Sequence, residues 1–241
     1  VDTEIEPKSQ KILDIGSIRD NGNSFHSNSI ADFIKFINGT EFICGHNILN
    51  HDLKYIGEAI NNAKVNPANI IDTLFLSPLL FPTKPYHALL KDDKLQTEDA
   101  NNPLNDSIKA KDLFFDEIAA FQQTDKTLKQ ILYLLLNDKK EFHSFFHFIA
   151  YTSNDINLEK LDAEICEHAD LSKLILEHPI ELAYCLALIN CRNRYSITPP
   201  WVLKTYPGIE RVMNALRNKP CLAGCVYCNQ ALDIHKGLKT Y

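Results

Sequence analysis

The segment EFICGH, residues 41–46, is a short apolar β-type run. It breaks off at Gly45-His46-Asn47 and passes within a few residues into DLKYIGEAINNA, residues 52–63, whose apolar spacing is helical. A buried strand that hands over to an amphipathic helix must cover its faces with helices, and this commits the chain to layered α/β packing. The flanking segments agree. KILDIGSIR (11–19) reads as a strand, and SIADFIKFIN (29–38) as a helix with Ser29 as its N-cap. NIIDTLFLSPLLFP (69–82) reads as a strand followed by an irregular, Pro-marked stretch, and SIKAKDLFFDEIAAFQQ (107–123) as a helix. The expected fold is an α/β domain over residues 1–123, with a mixed sheet flanked by helices.

From Thr124 onward the spacing is helical, through TLKQILYLLL, EFHSFFHFIAY and LSKLILEHPIELAYCLALI. ITPPWVLKTYP reads as a Pro-marked connector and GIERVMNALRN as one more helix. This gives a helical region, 124–218, and a Cys-rich segment, 219–241. Apolar content of 45% and charged content of 23% are those of an ordinary globular chain. No apolar run approaches the length of a membrane span, and no signal peptide is visible.

The cysteines are used unevenly. Of seven, three fall at Cys221, Cys225 and Cys228, and His235 follows. Three thiolates and an imidazole make a tetrahedral Zn²⁺ set, with Cys191 as an alternative fourth ligand. Reduced core cysteines and an iron–sulfur motif are the competing readings. An odd cysteine count with one metal-type cluster suggests a reducing compartment, hence the cytoplasm. Charge is uneven too. Residues 192–241 carry eight Lys/Arg and two Asp/Glu, against a whole-chain net charge of −6. A basic quarter behind an acidic body suggests a polyanion partner, with Arg192, Arg194, Tyr195 and Trp201 as candidate contacts to single-stranded nucleic acid.

Asp2 and Glu4, two apart on a strand, share a face. Adjacent carboxylates repel unless a cation lies between them, and hard ions such as Mg²⁺ or Mn²⁺ take oxygen ligands of this kind. Asp52 adds a third carboxylate from the end of a buried strand. Asp106 adds a fourth at a helix start, where it is also a plausible N-cap. Four such groups could hold two metals about 4 Å apart, the arrangement used for phosphodiester hydrolysis.

VDTEIE…ILDIGSI, GHNILNHDLKYI and NNPLNDSIKAKDLFFDE together resemble the three motifs of the DnaQ-like 3′–5′ exonucleases. The resemblance covers residues 1–123. It implies an RNase H-like fold, two bound Mg²⁺ or Mn²⁺ ions, and Asp2, Glu4, Asp52 and Asp106 as catalytic metal ligands acting on DNA ends. The motif strand is expected to extend before Asp2, so the chain is expected to lack its natural beginning. In the His-type branch of the family a general base stands five residues before the third motif's Asp. Here that position is Asn101, and Asn cannot take a proton at neutral pH. The register using Asp112 places Ser107 there, which is no better. His51 and His87 are substitute imidazoles, with core packing and capping as their plainer roles. His46 reads as structural. The run from Ser196 to Tyr241 looks like the segment joining an exonuclease-like domain to a RecQ-type helicase in some bacterial proteins, although no phosphate loop is present. The expectation is therefore a two-metal exonuclease domain, weakened at Asn101 and part of a larger helicase. The alternative is an inactive module of the same fold that binds single-stranded nucleic acid for that helicase.

Overall fold

The structure, a computed structural model, describes residues 1–84, 86–89, 102–153, 160–166, 170–191 and 198–217. Cys221, Cys225, Cys228, His235, Arg192, Arg194, Tyr195 and Asn101 lie outside the described residues. The chain divides into two compact units. The first comprises 1–75, 88–119 and 140–149, and the second 76–87, 120–139 and 150–241. The first unit thus draws in residues 140–149 from the region that the sequence assigns to helices.

In the first unit, β1 (Asp2–Ile5) pairs antiparallel with β2 (Ile12–Ile18), which pairs antiparallel with β3 (Ser24–His26). The register sets Asp2 opposite Gly16 and Glu4 opposite Asp14. β4 (Ile43–Gly45) and β5 (Ile70–Asp72) form a parallel pair. The Val1 amino nitrogen donates to the Cys44 carbonyl at 2.6 Å, which ties the free edge of β1 to β4. The class is α/β with a small mixed sheet, as the segment pattern requires.

Helix α1 (Ile30–Ile37) begins at Ser29, whose hydroxyl accepts from the Asp32 amide. It buries Phe33 and Ile37. Helix α2 (Leu53–Asn62) packs against α1 and buries Ile56, Ala59 and Ile60. Each fully buried Ile or Phe contributes roughly 1.5–3 kcal/mol, and the residues these helices bury form one core cluster with Ile43 of β4. The stretch after β5 is not irregular. It is helix α3 (Thr73–Leu80), with Pro78 inside it. A proline there removes one helical hydrogen bond. Burial of Phe75, Leu76 and Leu79 outweighs that loss. Helix α4 (Pro103–Gln123) starts earlier than apolar spacing suggests, because Asn102 caps it: its Oδ1 accepts from the Leu104 and Asn105 amides. Asp106 is therefore not the cap. Helix α6 (His143–Phe148) completes the unit, with Ser144 Oγ donating to the Ile70 carbonyl at 2.6 Å.

The second unit is helical among its described residues. Helix α9 (Pro179–Asn190) is its centre, with Leu182 through Ile189 all buried. A helix apolar all round belongs inside a bundle, and α5 (Lys126–Leu136), α8 (Ser172–Glu177) and α11 (Ile209–Arg217) pack on it, while the short α7 (Leu161–Ile165) precedes α8. The run LSKLILEHPIELAYCLALI is two helices, divided at His178-Pro179. α10 (Pro200–Thr205) replaces the expected connector, since Pro200 at a first helical position starts a helix. No described helix is long and apolar enough to cross a membrane.

Candidate metal centre

β4 ends at Gly45, and this ending creates the site. Backbone N–H groups two apart on a strand point to the same edge, so Thr3 N–H follows Val1 toward β4. Val1 meets the Cys44 carbonyl, but by Thr3 the strand has run out. Asp52 supplies the missing acceptor. Its Oδ1 accepts from the Thr3 amide at 2.9 Å and from the Thr3 hydroxyl at 2.7 Å. Asp52 occupies the N-cap position of α2, yet its side chain makes no capping bond. The carboxylate is turned away from its own helix and onto β1. It is 1% exposed, and Oδ2 has no hydrogen-bond partner. Burial raises its pKa, against the Thr3 hydrogen bonds and the charge of His51.

Asp2 and Glu4 occupy the other face of β1 from Thr3, and both are half-buried. Gly16, opposite Asp2, is where α4 lands. A Cβ on Gly16 would lie 2.0 Å from the Pro103 carbonyl carbon, so only glycine admits the helix. Ser107 Oγ donates to the Gly16 carbonyl at 2.7 Å and fixes the contact. Asp106, in the first turn of α4, is thereby held near enough for its charge to act on Asp2. The Asp2 carboxyl is pushed up to about 7, by burial first and then by the negative charges of Asp52, Asp106 and Glu4, while the terminal amine pulls it down. Of the four carboxylates expected from the sequence, Asp52, Asp106 and Glu4 thus all act on Asp2 within one unit. Among the described residues, no three or more His, Cys, Asp and Glu side chains form a ready-made cage for a metal ion.

Besides Thr3, one supporting acid and one neighbouring acid escaped the sequence reading. Asp72, at the end of β5, is wholly buried and accepts from the amides of Asn47 (2.8 Å), Leu49 (3.1 Å) and Leu74 (2.9 Å). It shapes the turn that carries Asp52. Burial lifts it to about 6 even against those three donors. The available signal was an acid closing an apolar strand, the same signal that marked Asp52. Asp14 stands opposite Glu4, but His26 Nε2 lies 2.5 Å from its Oδ2. Asp14 is thus matched locally.

The imidazoles are distributed differently from expectation. His46 Nδ1 meets the Thr73 hydroxyl at 2.8 Å, a structural role played through a side chain. His51 is exposed rather than packed in the core, with its ring edge-on to Tyr55 at 5.9 Å between centroids. His87 is a member of the second unit. It is buried, its Nδ1 meets Ser77 Oγ at 2.8 Å, and burial followed by Lys84 lowers its pKa to about 4. Cys191 donates its thiol to the Leu188 carbonyl at 3.0 Å. Trp201 is half-buried on α10.

Carboxylate oxygens are the donor type that hard divalent cations take. A desolvated carboxylate oxygen without a partner, near a second carboxyl whose pKa is raised by burial and then by neighbouring negative charges, is a charge arrangement that a cation relieves. Comparison with known protein families, curated proteins and solved structures finds no match to this chain.

Proposed function

We propose that the first unit is a two-metal-ion 3′–5′ exonuclease-type domain that hydrolyses DNA ends, with the β1–β2–β3 sheet and the β4–β5 pair, joined at the Val1–Cys44 bond, serving as an RNase H-like frame. The observation that carries this reading is Asp52, a buried carboxylate with one oxygen unpartnered, grouped with Asp2, Glu4 and Asp106. Asp2, Glu4, Asp52 and Asp106 would hold two Mg²⁺ or Mn²⁺ ions. Such ions, when bound, supply an activated water nucleophile and charge stabilisation for the leaving oxygen. The chain's own part is to fix the carboxylates: Thr3 orients Asp52, Asp72 shapes its turn, and the Gly16 contact brings Asp106 to Asp2. His87 is spent on Ser77, which leaves exposed His51 as the imidazole next to the carboxylates. Asn101 stands where the resemblance expects a general base, and losing one costs about 10²–10⁴-fold. Turnover is therefore expected to be slow.

The test is Mn²⁺-dependent digestion of a 3′-labelled oligonucleotide by the whole chain. Slow shortening from the 3′ end is expected for the wild type and none for Asp2→Ala. Equal digestion by both proteins would defeat the reading. Asn101 favours a second reading, an inactive module of the same fold that holds single-stranded nucleic acid through the basic C-terminal quarter. Both readings place the chain beside a fused or cognate helicase in the cytoplasm. The spacing of Cys221, Cys225, Cys228 and His235 supports a structural Zn²⁺. Elemental analysis of protein purified without chelator should find about one zinc per chain by that ligand count. A fraction well below this, or an iron chromophore, would remove the zinc site.

A further inference from the structure

The two oxygens of Asp52 are unequal. Oδ1 takes both Thr3 donors, the amide at 2.9 Å and the hydroxyl at 2.7 Å. Oδ2 takes none, although Asp52 is 1% exposed and Thr3 4%. Two donors on one oxygen fix the carboxylate's plane and use up that oxygen's directional lone pairs. We propose that Thr3 is a positioning residue that presents Asp52 to a divalent cation through Oδ2 alone. This rests on the metal-site reading of the same four carboxylates. The amide bond to Oδ1 belongs to the backbone and survives any side-chain change at position 3. The hydroxyl bond does not, so the share of Thr3 in the site can be removed selectively. Without the hydroxyl, the amide alone restrains the carboxylate and Oδ1 regains a lone pair that competes with Oδ2 for the ion, so affinity falls.

Binding of Mn²⁺ alone to the whole chain, followed by the loss of the free-ion electron paramagnetic resonance signal, tests this. Outer partners of metal ligands typically contribute 10–100-fold to affinity, so Thr3→Val should weaken Mn²⁺ by about 10-fold or more. Thr3→Ser, which keeps the hydroxyl, should restore it to within about twofold on the same reasoning. A purely structural role would predict otherwise, since Val is an isostere suited to a buried position. Should Thr3→Val not fold, Thr3→Ala adds no bulk and carries the same expectation. Wild-type-like affinity in Thr3→Val, or equal loss in Thr3→Ser, overturns the inference alone, provided that Asp52→Ala abolishes binding. No Mn²⁺ binding by the wild type, or full binding by Asp52→Ala, overturns the metal-site reading and this inference with it.

Discussion

Mn²⁺ should raise the melting temperature of the first unit by about 5–10 °C at pH 8 and by much less at pH 5. Asp2 sets the sign. Its folded pKa is about 7, against an ordinary 3.8. The folded chain keeps that proton over a range where the unfolded chain has lost it. The contribution of Asp2 to stability is therefore fully present below about pH 4 and is lost as pH rises through about 7. At pH 8 the folded apo protein carries an ionised Asp2 against Asp52, Asp106 and Glu4, and a bound cation removes that repulsion. At about 100 times its dissociation constant a ligand stabilises by about 2.7 kcal/mol, and each kcal/mol is worth about 2–4 °C at this chain size. At pH 5 the ion must displace a proton held two pH units below its pKa, which weakens binding by about 100-fold on this one group. Asp2→Asn should show the opposite pattern: a higher melting temperature than the wild type without metal at pH 8, and no shift on adding Mn²⁺. A shift of equal size at pH 5 and pH 8, or one that survives Asp2→Asn, would show that Asp2 is not where the ion binds.

The pieces of this site legible in the sequence were those marked by local pattern. Asp52 stands where an apolar β run meets a helical one, and Asp2 and Glu4 share a face by the two-residue period. What local pattern cannot show is the pairing between distant segments. Thr3 reads as a spacer between two acids until β4 is seen to stop one residue short of it. Asp14 becomes a neighbour of Glu4 only through the β1–β2 register. Asp106 reads as a cap because capping is the common use of an Asp there, and Asn102 displaces it from that role. The fold misses have two causes. β3 is three residues long, too short for an alternation to register. In the sequence, Pro78 and Pro200 read as breaks, whereas Pro179 leaves the helical spacing around it undisturbed. Proline inside α3 is outweighed by burial, whereas Pro179 and Pro200 begin helices.

Gly16→Ala should cost about 3–5 kcal/mol, more than overpacking usually does, because the obstacle is backbone. The added methyl would meet the Pro103 carbonyl carbon at 2.0 Å, the Leu104 amide nitrogen at 2.1 Å and the Pro103 oxygen at 2.2 Å. No rotamer change relieves contacts of that kind. Either β2 or the first turn of α4 must move, and the Ser107 bond to the Gly16 carbonyl goes with it. The consequence reaches the site, since Asp106 rides on that turn. A variant that stays folded by lifting α4 should therefore lose Mn²⁺ stabilisation along with stability. Gly57→Ala is the matched control. It lies inside α2 with no heavy atom within 4 Å of a built Cβ, and exchanging glycine for alanine within a helix should be stabilising by up to about 1 kcal/mol. Thermal unfolding of both variants with and without Mn²⁺ separates the cases. If Gly16→Ala melts with the wild type and keeps the metal shift, α4 is not seated on β2 at Gly16, and the placement of Asp106 near Asp2 falls with that contact.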